Sequence, residues 1–152
     1  MEELKTVFTT VGSTQFAELV KAITTKEALN TFKDNGYTNI VIQYGSYYSL
    51  NNHRGPEPKL EEGVLGMELR AFKYTQEMAQ ELANAQLIIC HCGAGTLLDV
   101  LRAKKKGIGV VNTSLMDNHQ VQLATELHKE AYIALAADHN DLLKNVRDDD
   151  NA

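Results

Sequence analysis

Six short runs rich in apolar and β-branched residues recur along the chain: "LKTVFTTV" (4–11), "NIVIQ" (39–43), "GMELRAF" (66–72), "LIIC" (87–90), "GIGVVN" (107–112) and "AYIALA" (131–136). Each reads as a strand. Stretches of helical spacing lie between them. Phe16, Leu19, Val20 and Ile23 follow the first run, and a second helical piece over about 26–34 stops at "DNGY", where Gly36 suits a C-terminal cap. Thr75 suits the cap of a further helix, with Glu77 in its first turn and Met78, Leu82 and Ala85 as its apolar stripe. Helices are also expected over about 95–105, over "MDNHQVQLATELHKE" and over about 139–146. Strands that alternate with helices make a parallel sheet covered on both faces, because each crossover must return the chain to the same end. The segment from Tyr44 to Glu62 holds both prolines and reads as a long loop, a length usually kept for function.

That alternation places the unusual residues together. Ligands of open parallel sheets bind at the carboxyl ends of strands. Five strand ends carry polar or glycine-rich residues: "GSTQF", "QYGS", "FKYT", "HCGAGT" and "SLMDNHQ". Their convergence on one rim is the main functional signal of the residues themselves.

Composition narrows the partners. With 152 residues the chain is one domain, residues 1–152, able to bury roughly two-thirds of its unfolded surface without disulfides or metal. The tail, about 147–152, is acidic and reads as solvated. Net charge is −5, which argues against nucleic acid. Arg102, Lys104, Lys105 and Lys106 form the one basic cluster, and they fall where a helix should end, so they offset its dipole. No apolar run approaches the ~20 residues of a membrane span, and a strand starts too early for a signal peptide. Two cysteines two positions apart make no comfortable disulfide, which fits a reducing cytoplasmic setting. Membrane contact is then expected only through a partner.

Two strand-to-helix turns carry the chemistry. In the first, His91, Cys92, Gly93, Ala94, Gly95 and Thr96 follow a strand, and Asp99 lies one turn into the helix. Glycines let backbone approach a ligand closely, and the helix start presents unpaired N–H groups with partial positive charge, an arrangement that suits phosphate. Thr96 adds a hydroxyl, His91 a second donor, and Asp99 an acceptor for ribose hydroxyls. The plainer alternative is a structural turn capped by Thr96. The second turn, Gly12, Ser13 and Thr14, repeats the logic: strand, glycine, two hydroxyls, helix. It lacks the full dinucleotide fingerprint and the phosphate-loop lysine. Two such turns in one sheet favour a diphosphate.

Other readings fare worse. Strand alternation points Cys90 and Cys92 away from His91, and a structural zinc site wants four ligands at other spacings, so no metal is expected. Cys92 near a helix start has the setting of a reactive thiol, and Cys90 that of a small buried apolar residue. Asp117 and Gln120 fit a capping box; equally, Asn118, His119 and Gln120 at a strand end face a polar ligand such as a sugar. His53, His128 and His139 read as solvated.

"HCGAGTLLD" resembles the donor motif of nucleotide-sugar glycosyltransferases of the B-type (GT-B) fold, in which an acid follows the His-Cys-Gly histidine by eight residues. Asp99 stands where that family usually has Glu. "VFTTVGSTQFAELV", "GYTNIVIQYG", "AFKYTQEMAQELANAQLIICHCGAGTLLDVL" and "VVNTSLMDNHQVQLATEL" resemble, over roughly residues 5–130, the small cytosolic subunits of the eukaryotic enzyme that adds the second N-acetylglucosamine to dolichol-diphosphate-N-acetylglucosamine, of glycosyltransferase family 28, C-terminal-half type. More distantly the pattern is similar to the C-terminal half of the bacterial lipid II synthase. The resemblance implies an α/β, Rossmann-like parallel sheet with helices on both faces, equivalent to the C-terminal donor-binding half of a GT-B glycosyltransferase. It implies UDP-N-acetylglucosamine as donor, no metal or other cofactor, and transfer in N-glycosylation. It also implies a heterodimer with a membrane-anchored partner that supplies the acceptor half and recruits the chain to the cytosolic face of the endoplasmic reticulum. Carried onto this chain, Gly12, Ser13 and Thr14 line the phosphates, Gln43 and Gly45 the cleft edge, Tyr74 and Thr75 the uracil, Asp99 the ribose, and Asn118, His119 and Gln120 the sugar. His91 is the one titratable candidate for catalysis, with phosphate binding its favoured role; the general base is expected in the partner. Two other classes stay open: a non-catalytic nucleotide-sugar-binding or scaffold subunit, and a Rossmann-like oxidoreductase domain.

Overall fold

A computed structural model describes residues 5–12, 17–45, 66–91, 94–110, 134–136 and 139–147. Six strands, β1 (Lys5–Thr10), β2 (Tyr37–Gln43), β3 (Glu68–Phe72), β4 (Leu87–His91), β5 (Lys106–Val110) and β6 (Ala134–Ala136), form one sheet in the order β3-β2-β1-β4-β5-β6. Every neighbouring pair is parallel. The helices are α1 (Ala17–Ile23), α2 (Lys26–Asp34), α3 (Met78–Asn84), α4 (Ala94–Ala103) and α5 (His139–Arg147).

The strands bury both faces, so their side chains alternate between two cores. Val7, Ile40, Ile42, Leu87 and Ile89 meet Leu19, Ile23, Leu29 and Phe32 of α1 and α2 and Leu142, Leu143 and Val146 of α5 on one side. Phe8, Val41, Ile88 and Cys90 meet Leu82 of α3 and Leu97 and Val100 of α4 on the other. The expected sandwich of helices around a parallel sheet is therefore present, with Cys90 in its expected apolar place.

Element boundaries match the sequence reading closely at α2 and differ elsewhere for local reasons. The Thr25 hydroxyl accepts from Ala28 N at 3.1 Å and starts α2; Gly36, at φ 91°, stops it. Thr75 does not cap α3. Its hydroxyl accepts from Glu77 N at 2.9 Å, closing a side-chain turn that delays the helix until Met78, so that Glu77 stands at the cap and Glu81 supplies the acid of the first turn. α4 ends at Ala103 rather than 105, because Lys104 takes the left-handed conformation at φ 57°. β2 starts two residues earlier than expected, and β4 extends one further to include His91. The helix expected over 116–130 lies outside the described residues, as do 46–62 of the long loop, the first part of the run 131–136 and the tail from 148.

Candidate functional site

The strand order turns back at one place. β1 leads to β2 and β3 on one side, and to β4, β5 and β6 on the other. Chains that leave β1 and β4 at their carboxyl ends therefore depart in opposite directions and open a crevice between them, the topological switch point where open sheets bind ligands. β1 and β4 pair in register up to Thr10 with Cys90. Gly12 follows the first strand; His91 ends the second and Thr96 lies in the first turn of α4.

Gly12, His91 and Thr96 lie close together. Gly12 sits at φ 62°, and a Cβ built on it would lie 2.7 Å from His91 Cε1, 3.3 Å from Nε2 and 3.6 Å from Thr96 Oγ1. Glycine is needed twice over, for its backbone conformation and for the closeness of the imidazole. Gly95, by contrast, faces open space among the described residues.

His91 is 9% exposed. Burial holds its pKa below the ordinary 6.5, with the Thr10 backbone opposing. At neutral pH the ring is therefore uncharged, with one N–H to donate. Its Nδ1 is buried and has no hydrogen-bond partner among the described residues. A neutral imidazole beside a helix N-terminus acts on an anion as a dipolar donor rather than as a cation.

Gln43 is placed differently from the other site residues. Expected as a ligand contact at the cleft edge, it is 1% exposed and all its amide capacity is spent inside the protein. Oε1 accepts from the Thr10 hydroxyl and from Gly12 N at 2.9 Å; Nε2 donates to Gly12 O at 2.8 Å and to Lys73 O at 2.7 Å. Gly45 N also donates to Lys73 O, at 2.9 Å.

The β3–α3 turn forms a second wall. Tyr74 is 52% exposed, with the Lys73 ammonium 5.8 Å from its ring centre. Past that turn, α3 and α4 border a cavity of about 620 Å³, lined by Met78, Ala79 and Leu82 on one side and Asp99, Arg102 and Ala103 on the other. Thr96 and Asp99 are three apart on α4 and thus neighbours on its surface. One borders the switch point, the other this cavity. The mainly apolar cavity was not foreseen: its walls come from two helices whose facing residues only the fold brings together. Ser13, Thr14, Gly93, Asn118, His119 and Gln120 lie outside the described residues.

A doubly wound parallel sheet with Gly12 against His91 and Thr96 at its switch point, and an acid-bearing helix beside them, defines a Rossmann-like unit. More particularly, residues 6–151 match the glycosyltransferase family 28 C-terminal domain, and the chain belongs to that family. It is 34% identical over 132 residues to the UDP-N-acetylglucosamine transferase subunit ALG13 of Yarrowia lipolytica, a match covering 86% of this chain and 63% of that relative. The chain thus spans rather less than two-thirds of the relative's length. The NMR solution structure of ALG13 superposes with a TM-score of 0.72 at 26% identity, over 99% of this chain and 87% of that one. MurG of Acinetobacter baumannii shares the fold with a TM-score of 0.69 at 17% identity, over all of this chain and 42% of MurG. The expected architecture, the C-terminal half of a B-type glycosyltransferase, is the one observed.

Proposed function

We propose that this chain is the donor-binding catalytic subunit of a transferase that moves N-acetylglucosamine from UDP-N-acetylglucosamine to dolichol-diphosphate-N-acetylglucosamine. The observation that carries the reading is the closeness of Gly12, after β1, to His91 at the end of β4 and to Thr96 in the first turn of α4. That geometry suits a diphosphate. The relatives' designation as UDP-N-acetylglucosamine transferase subunits supplies the nucleotide sugar.

The chemistry follows from the groups present. The bond from the sugar C1 to the diphosphate oxygen breaks as a bond to the acceptor hydroxyl forms, and negative charge grows on the departing UDP. The N–H groups at the start of α4, the Thr96 hydroxyl and the neutral His91 donor stabilise that charge without a metal. The proton of the acceptor hydroxyl goes to a base on the partner. Asp99 takes the ribose hydroxyls, and the β3–α3 turn with Tyr74 and Thr75 takes the uracil. Ser13, Thr14 and Gly93 complete the phosphate cradle; Asn118, His119 and Gln120 hold the sugar. A membrane-anchored partner supplies the acceptor half and brings the chain to the cytosolic face of the endoplasmic reticulum. Among the described residues no helix is long and apolar enough to cross a membrane.

Radiolabelled sugar transfer to the dolichol-linked acceptor tests the proposal, with the chain alone, the partner alone and both together. Transfer only from the pair is expected. Transfer by the lone chain overturns the half-enzyme reading. Full transfer by an assembled pair carrying Gly12→Ala and Asp99→Ala makes the chain a scaffold instead.

A further inference from the structure

We infer that Gln43 is a positioning residue, a latch that ties the β1–α1 turn and the β3–α3 turn into one rigid rim, rather than a contact to the donor. The inference rests on the donor reading above and sharpens it.

An amide side chain accepts at its oxygen and donates two N–H bonds, and Gln43 has used this capacity fully. A ligand could bond it only by displacing one of these buried partners. The choice of partners is informative. Gly12 is gripped at both its N–H and its carbonyl, which fixes the one residue whose left-handed backbone lies against His91. The other N–H holds the carbonyl of Lys73, next to Tyr74 at the start of the second turn. Backbone bonds reinforce the seam, from Val11 N to Gln43 O, from Tyr44 N to Phe72 O and from Gly45 N to Lys73 O. β2 lies between β1 and β3 in the sheet, so a side chain at its carboxyl end can reach both turns. In the proposed site one turn faces the diphosphate and the other the uracil. The latch therefore sets the distance between the two ends of the nucleotide, and a loose rim loses affinity through misplacement rather than through a lost contact.

Gln43→Met keeps the volume and removes the hydrogen bonds. Thr10→Val, which removes the hydroxyl that donates to Gln43 and also accepts from Gly12 N at 3.2 Å, serves with Gly45 as its readout if the first variant fails to fold. In the ligand-free protein, amide hydrogen exchange is followed by NMR at Gly12 and Gly45. Exchange at both is expected to quicken by about tenfold or more in Gln43→Met. Unchanged exchange at either overturns the latch whatever the ligand proves to be. Binding is then measured by calorimetry for UDP-N-acetylglucosamine and by ligand-observed NMR for uridine alone. Both are expected to weaken, by about tenfold for the full donor. Weakened donor binding with unchanged uridine binding marks Gln43 as a direct contact and overturns the inference. Failure of the wild type to bind either ligand overturns the donor reading and leaves the latch to stand or fall on the exchange data.

Discussion

His91 shows how burial, outweighing a backbone hydrogen bond, sets the chemistry of a residue. Its folded pKa lies below the ordinary 6.5, so the folded chain resists protonation while the unfolded chain accepts it. Stability is thus full above about pH 6.5 and falls as the pH drops from there toward the lowered folded value. Thermal unfolding between pH 7.5 and 5.5 should show a steeper loss in the wild type than in His91→Gln. Gly12→Ala meets two penalties at once, the left-handed backbone and the 2.7 Å approach to the imidazole. The backbone alone costs about 1–2 kcal/mol, so urea denaturation should show at least that loss, and calorimetry a loss of donor binding. The candidacy of Gly12, His91, Thr96 and Asp99 for a ligand site was legible in the sequence, because spacing within a turn and a helix is local information. The role of Gln43 was not. Its partners come from residues 10, 12 and 73, and only the sheet order brings them to one amide.

Helices whose signals lie within their own span were read closely, and α2 is the clear case. Thr25 caps it, Gly36 stops it, and Ala28, Leu29 and Phe32 face the core. Thr25→Ala should cost about 1 kcal/mol of stability, as removal of an N-cap hydroxyl does, measured as a shift in the urea midpoint. α3 was harder. A hydroxyl can accept from the amide two residues on or three residues on, closures of similar energy; the sequence reading made Thr75 the cap, and the structure closes the shorter turn to Glu77 N and starts the helix at Met78. Arg70 on β3 pairs with Glu81 in the first turn of that helix at 2.6 Å. Arg70 is more than half exposed, so Arg70→Ala should change stability little while loosening the docking of α3.

At the scale of the molecule, the fold class followed from alternation alone, because parallel strands demand crossovers and crossovers cover both faces. The strand order did not follow, since pairing partners are far apart in sequence. If helix N–H groups and neutral donors carry the charge of the leaving diphosphate, as proposed, transfer by the assembled pair should be insensitive to EDTA.

The place of β1 has a consequence for how the chain comes to be folded. Of the six described strands it comes first in the chain, yet it stands at the middle of the sheet, flanked by β2 and by β4. The Thr6–Gln86 hydrogen bond spans a sequence separation of 80 residues, and loop closure over such a distance is slow. During synthesis β1 waits with one edge open until β4 leaves the ribosome. The crevice that holds the proposed ligand is formed by that same late pairing, so the binding site and the centre of the sheet are completed in one event.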